Sequence, residues 1–171
     1  MINPFEILAI PPSLLPDKTL VDAQYRKLVK QYHPDRFGFD SEEHSAAVER
    51  TAQINAAYKL LGDKLNLAAY FLKSNGFEEG KEKMPDAFLM EMMDLNEAIA
   101  EAEMEGDATR MQQLMDEVSQ FESANEKEFS AAASALDSGN TALSMQLLKD
   151  SYLKMKYILR LKERLINFAP R

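Results

Sequence analysis

An all-α fold is the expectation for this chain of 171 residues, and three observations carry it. Ala, Leu, Met, Glu, Lys and Gln dominate, and all are good helix formers. Glycine is scarce, at six residues, and β-branched residues are few. Period-2 alternation is almost absent, while apolar residues recur at helical spacing. With 46% hydrophobic and 28% charged residues, the chain suits one or two small domains with cores of their own.

The elements follow in order. A short first helix covers residues 4–8, and "AIPPSLLPD" is a proline-rich turn. Asp17 or Thr19 caps a second helix that runs to about Tyr32. Val21, Tyr25, Leu28, Val29 and Tyr32 form one stripe for burial. Arg26, Lys27 and Lys30 fall on the opposite face. His33-Pro34 ends the helix, because a residue before proline is disfavoured in α geometry. After the loop "RFGFDS", Ser41 with Glu42 and Glu43 starts a third helix that reaches Leu61. Its stripe is Ala47, Thr51, Ile54, Tyr58 and Leu61. The two long helices make an antiparallel hairpin with His33, Pro34 and Asp35 in the connection. A fourth helix, "LNLAAYFLKS", ends at Asn75-Gly76, a left-handed cap.

The polar, glycine-bearing stretch "GFEEGKEKMP" then marks a boundary. It divides a first domain, residues 1–75, from a linker, 76–84, and a second domain, 85–171. Three further helices are expected over about residues 85–105, 107–137 and 141–167. They break at Gly106-Asp107 and at Ser138-Gly139-Asn140, and connections this short imply an antiparallel three-helix bundle.

Composition removes several kinds of chemistry. There is no cysteine, hence no disulfide, thiolate metal site or cysteine nucleophile. His33 and His44, the only histidines, have no second nitrogen ligand nearby, so no zinc site is expected. No Gly-rich phosphate loop or nucleophile elbow is present, and no cofactor is expected. No apolar run approaches the roughly 18 residues of a membrane span, and the N-terminus lacks a basic region followed by an apolar one. A cytoplasmic protein is the default. A net charge of −8 argues against nonspecific nucleic-acid binding. The charge is uneven. Between Asp86 and Glu128 only Arg110 and Lys127 oppose thirteen acids, whereas Lys149 to Arg171 holds seven basic residues and two acids. Such asymmetry suits neighbouring helices with complementary flanks, or separate binding surfaces.

The sequence "YHPDRF" invites three readings: an acid–base pair, a helix stop, or a contact surface. Catalysis by His33 needs a substrate or nucleophile and an orienting group. Residues two apart around a proline rarely aim at one point. Pro34 as a plain helix stop, with Asp35 bonding the loop, would suffice for three residues alone. The wider context is more specific. A basic amphipathic helix ends in "YHPDRF", and a later helix carries "INAAYKLL" with Ile54, Asn55, Ala57, Tyr58 and Leu61. Together these resemble the J-domain of Hsp40-type co-chaperones over about residues 2–75. The resemblance implies that Arg26, Lys27, Lys30, His33, Pro34, Asp35 and Arg36 dock on the ATPase domain of an Hsp70 and promote its ATP hydrolysis. The J-domain itself does no chemistry.

In "PDAFLMEMMDLNEAIAEAE" the stripe Phe88, Met92, Leu95 and Ile99 spans about 60° and should face the bundle. Leu89, Met90 and Met93 lie well round from it, with Asp94, Glu97 and Glu101. The plain reading makes Leu89 and Met93 the edge of a wide core and the acids a solvated face. The sharper one is a partner site of apolar anchors ringed by carboxylates. From "AFLMEMMDLNEAI" and "YFLKSNG" the whole chain resembles the HscB (Hsc20) co-chaperones of iron–sulfur cluster biogenesis. The resemblance implies that the bundle binds an IscU-type scaffold protein and presents it to a dedicated Hsp70 of the HscA type. A general DnaK-type Hsp70 would meet a similar basic surface. Carried over by position, the scaffold contacts are Leu89, Met90, Met93, Asp94, Glu97 and Glu101, with Tyr157 from the last helix. Ordinary bundle packing is the plain alternative for Tyr157. Asp94 stands where a glutamate is usual, and Asn96 where an arginine is often found. The lack of cysteine means that any cluster rides on the partner. The lack of an N-terminal cysteine module matches a bacterial-like form.

Overall fold

A computed structural model of the chain describes residues 3–38, 41–78, 80–81, 83–140 and 142–168. The expected helices form, and local chemistry explains most of their ends. Asn3 accepts the Phe5 N–H at 3.0 Å and starts α1 (Pro4–Leu8). Asp17 accepts the Thr19 N–H at 2.8 Å and starts α2 (Lys18–Gln31). Ser41 accepts the His44 N–H at 3.0 Å at the head of α3 (Glu42–Gly62). Helix α4 (Lys64–Ser74) is followed by Gly76 at φ 84°, where the Gly76 and Phe77 N–H groups bond back to Lys73 and Leu72. Pro85 flanks α5 (Asp86–Glu105), which stops at Gly106. Gly106 takes φ 66°, the left-handed turn that a side chain would strain. Asp107 caps α6 (Ala108–Asp137) through the Arg110 N–H at 2.9 Å. Helix α7 covers Ala142–Phe168. Thr141, expected to open α7, lies outside the described residues, as do Phe39 and Asp40 of the hairpin loop and Glu79 and Glu82. One element is unexpected: Pro34–Arg36 forms a single 3-10 turn. There is no strand among the described residues.

The chain divides into two units, Met1–Phe71 and Leu72–Arg171. In the first, α2 and α3 run antiparallel, as three bonded pairs show: Asp22 with Tyr58, Tyr25 with Asn55, and Tyr32 with Thr51. The core joins Phe5, Leu8, Val21, Ile54, Leu61 and Leu67. Tyr25, Leu28, Val29 and Tyr32 pack against it, partly buried, as their spacing predicts. The rings of Tyr25 and Tyr58 stack at 4.0 Å and 18°.

The second unit is the three-helix bundle. Phe88, Met92, Leu95 and Ile99 of α5 are buried with Leu114 and Val118 of α6 and Ile158, Leu161 and Leu165 of α7. Helices α6 and α7 are antiparallel, with Glu122 paired to Lys162 and Glu128 to Lys154. Helices α5 and α7 therefore run parallel, and two polar contacts fix their level, Asn96 with Tyr157 and Glu103 with Arg164. The buried Asn125 donates to the Ser151 carbonyl at 2.9 Å, while its Oδ1 has no protein partner. That bond favours one level of α6 against α7, since sliding either helix would strand the amide donor too. Phe77 is buried and meets Tyr152 edge-on at 5.7 Å, and burial pushes the Tyr152 phenol up.

The Tyr58 hydroxyl donates to Asp22 at 2.9 Å, and this bond and the carboxylate's charge raise the phenol above its ordinary 10.0. A raised phenol stabilises the fold below its unfolded pKa and loses that contribution as pH climbs through its folded value. Raising the pH from about 7 to about 11 should therefore lower the melting temperature of the wild-type chain more than that of Tyr58→Phe. Equal drops in thermal melts followed by circular dichroism would refute the assignment.

Candidate protein-docking sites

The first site is the tip of the α2–α3 hairpin. Pro34 forces His33 into extended backbone, φ −61° and ψ 125°, and starts the 3-10 turn. Ending α2 there exposes its last carbonyls, and side chains take two of them. Arg36 Nη1 donates to the Lys30 carbonyl at 2.9 Å, and Thr51 Oγ1 donates to the Tyr32 carbonyl at 2.8 Å. The Arg50 guanidinium lies 5.7 Å from the centre of the Tyr32 ring. The tip is thus tied to both long helices.

His33 and Asp35 do converge, against the sequence-based expectation for residues two apart around a proline. His33 Nδ1 accepts the Asp35 N–H at 3.3 Å and lies 3.6 Å from the Asp35 carboxylate. The 3-10 turn brings them together, a geometry that spacing alone does not reveal. With Nδ1 accepting, the neutral ring carries its proton on Nε2, as a donor for a partner. The His33 side chain is half-exposed and that of Asp35 largely exposed. This suits a surface that presents one donor and one carboxylate, rather than a closed site that excludes water.

Arg26, Lys27 and Lys30 are exposed on the face away from the core, and none has an ion partner among the described residues. Arg36 is exposed as well, but one guanidinium nitrogen is spent on the Lys30 carbonyl. It therefore braces the tip as well as adding charge to it. Sequence reasoning missed Thr51 and Arg50 as tip residues, having placed Thr51 in the buried stripe; their bonds depend on how α3 docks against α2.

The second site is on α5. Met90 and Met93 are 64% and 62% exposed and Leu89 is 40% exposed, so none belongs to the bundle core. The plain reading of Leu89 and Met93 as core edge is excluded for Met93 and weak for Leu89. Asp94, Glu97 and Glu101 are exposed beside them with no ion partner among the described residues. Tyr157 is half-buried on α7. Its ring meets Phe88 edge-on at 6.1 Å, and its hydroxyl accepts from Asn96 Nδ2 at 2.6 Å. Around α5, Asn96 lies between Phe88 and the anchors Leu89 and Met93, which puts Tyr157 on the same side as those anchors.

Asn96 departs from the family pattern, and the structure gives it a task. It donates to the Met92 carbonyl and to Tyr157, and accepts from Arg164 Nη1 at 3.4 Å. Arg164 also grips both oxygens of Glu103, a pairing that raises the arginine above its ordinary value. A chain of polar contacts from Glu103 to Tyr157 therefore lines the seam of α5 and α7. Sequence spacing could not disclose it, because its members lie up to 68 residues apart.

A basic helical hairpin tipped by His-Pro-Asp, together with a separate three-helix bundle, defines a J-domain protein with a helical domain of its own. Comparisons with known proteins agree. A DnaJ domain model matches residues 3–70, and a model described as the HSCB C-terminal oligomerisation domain matches residues 84–166. The co-chaperone protein HscB homolog of Vibrio campbellii is 32% identical over 94% of this chain and 93% of that protein. Its counterpart in Shewanella denitrificans is 31% identical over 97% and 96%. The Vibrio vulnificus homolog is 39% identical, over 63% of this chain and 65% of that protein. Among solved structures, chaperone HscB from Vibrio cholerae superposes with a TM-score of 0.72 at 28% identity, covering 97% of this chain and 96% of that one. Human co-chaperone HscB gives 0.76 at 27% identity, over 98% and 82%. The chain belongs to the HscB co-chaperone family.

Thr51→Val keeps the shape of the side chain and removes the donor to the Tyr32 carbonyl. The expected cost is about 1 kcal/mol of stability, with faster amide hydrogen exchange confined to residues 32–37. Unchanged exchange there would show that the hydroxyl does not hold the tip.

Proposed function

We propose that this protein is a co-chaperone of iron–sulfur cluster assembly, without catalytic activity of its own. Residues 1–75 act as the J-domain, 76–84 as the join, and 85–171 as the scaffold-binding domain. The tip formed by His33, Pro34, Asp35 and Arg36, with Arg26, Lys27 and Lys30, docks on an HscA-type Hsp70 and stimulates its ATP hydrolysis. Leu89, Met90, Met93, Asp94, Glu97, Glu101 and Tyr157 hold an IscU-type scaffold protein. The protein works in the cytoplasm; no described helix is long and apolar enough to cross a membrane.

The observation that carries this reading is the pairing of two exposed, chemically distinct surfaces in one HscB-family chain. The cationic face would speed encounter with an acidic partner, and the braced tip would lose little freedom on docking. Methionine anchors within a ring of carboxylates suit a protein partner, because Met adapts its shape to the surface it meets. The J-domain would act by favouring one state of the Hsp70, through a difference in affinity between states, not through a chemical step.

Two variants test the two surfaces separately. His33→Gln should abolish stimulation of Hsp70 ATPase activity while leaving scaffold binding intact. Met90→Ala/Met93→Ala should weaken scaffold binding by about tenfold or more, since truncating anchor side chains commonly costs 1–2 kcal/mol each. It should leave stimulation without scaffold unchanged. Steady-state ATPase assays and calorimetric titrations check both. Stimulation that survives His33→Gln, or scaffold affinity unchanged in the double variant, would remove the corresponding half of the proposal.

A further inference from the structure

The sulfur of this chain is all methionine: ten residues, and no cysteine. None falls between Met1 and Met84, so α2, α3 and the tip that joins them carry none. In the second unit, burial sorts the rest. Met92 and Met111 belong to the bundle core, at 0% and 7% exposure. Met84, Met115, Met145 and Met155 are partly buried. Met90, Met93 and Met104 are 64%, 62% and 88% exposed. These three are the only exposed methionines among the described residues, and all belong to α5.

Helical geometry gathers them on one face. At about 100° per residue, Met93 and Met104 lie about 60° and 40° to the same side of Met90. Glu97 falls among them, and Glu101 and Asp94 lie about 20° and 40° to the other side. Met92 and Ile99, buried in the bundle core, lie nearly opposite. The exposed sulfurs therefore run about 21 Å along the solvent side of α5, interleaved with carboxylates.

We propose that Met90 and Met93 are a reversible oxidation site: a peroxide converts their thioethers to sulfoxides, and the sulfoxides disable scaffold docking. A sulfur lone pair attacks one oxygen of hydrogen peroxide. The S–O bond forms as the O–O bond breaks, and the proton of the attacked oxygen passes to the departing hydroxide, which leaves as water. Sulfur loses two electrons and the peroxide gains them. A thiol-dependent reductase returns two electrons and two protons and releases the oxygen as water. The attack needs an accessible sulfur, which the core methionines do not offer. Asp94, Glu97 and Glu101 repel anionic oxidants from this face and leave an uncharged peroxide unhindered. Oxidation changes the anchor itself. A flexible apolar side chain becomes a polar one, whose oxygen has to give up water when a partner covers it. This inference rests on the scaffold-binding reading and adds to it control by an oxidant. Met104 lies outside the proposed scaffold contacts, so its sulfur reports exposure alone.

The test treats the full chain with dilute hydrogen peroxide, removes the peroxide and maps oxygen uptake by peptide mass spectrometry. Met90, Met93 and Met104 should be oxidised at least about tenfold faster than Met92 and Met111. A saturating IscU-type scaffold from the same organism, present during treatment, should slow Met90 and Met93 and leave Met104 as it was. Calorimetry with untreated scaffold should then show an affinity lower by about tenfold or more in the oxidised chain. Methionine sulfoxide reductases of both epimer specificities, with a thiol reductant, should restore it. Stimulation of Hsp70 without scaffold should not change. In Met90→Leu/Met93→Leu, which keeps apolar bulk and removes the sulfurs, affinity should be the same before and after peroxide, whatever its starting value. Equal oxygen uptake by core and exposed methionines would overturn the site. Affinity unaltered by sulfoxides at positions 90 and 93, or lost equally in the leucine variant, would overturn the control and leave the scaffold reading standing. A lowered melting curve of the oxidised chain would assign the loss to unfolding and overturn the control as well. If the untreated chain does not bind the scaffold at all, the scaffold reading falls and takes the inference with it.

Discussion

Pro34 has no N–H to give and denies its predecessor a helical backbone, and the first unit is arranged around that constraint. Helix α2 has to stop at Gln31, with carbonyls at its end that a longer helix would have satisfied. Arg36 reaches back for one and Thr51 reaches across from α3 for another, so the stop is braced by two elements. The same proline sets φ for a 3-10 turn that brings His33 and Asp35 together at the surface. The tip can hold this arrangement because α2 and α3 are locked below it by the Tyr25–Tyr58 stack and the bonds to Asn55 and Asp22.

The second unit answers to a different limit. A helix in a three-helix bundle has two neighbours and can bury only part of its circumference. Helix α5 carries apolar residues beyond that arc. Phe88, Met92, Leu95 and Ile99 fill it, and Met90 and Met93 are left facing solvent. Charge is divided in the same way. Three acids of α5 and α6 and three cations of α7 meet as flanking pairs at Glu103, Glu122 and Glu128, which accounts for part of the asymmetry along the chain. Partly exposed pairs of this kind contribute little to stability. Their larger effect is to keep Lys154, Lys162 and Arg164 in defined places.

Much of this was legible beforehand because it is local. Caps, glycine stops and the 3.6-residue period depend on neighbours within a few positions, and they place the helices to within a residue or two. The stripe of Val21, Tyr25, Leu28, Val29 and Tyr32 needed only its spacing. The family pattern pointed to both candidate surfaces through short, distinctive runs, "YHPDRF" and "AFLMEMMDL". The convergence of His33 with Asp35 was not legible, since it depends on a turn whose form spacing does not specify. Nor was the contact chain Glu103–Arg164–Asn96–Tyr157, which joins residues on two helices separated by the whole of α6.

By itself, then, the amino-acid order determined the helices, the bundle and the two stretches that stay at the surface, because each follows from backbone chemistry and periodicity within a single element. Only the tertiary structure decided which side chains brace them. Arg36 became a strut as well as a charge, Thr51 an anchor for the hairpin tip, and Asn96 the partner that seats Tyr157. These roles are bonds between elements, and their existence depends on the level and rotation at which two helices meet. That is settled by how whole cores pack, and no single stretch of sequence contains it.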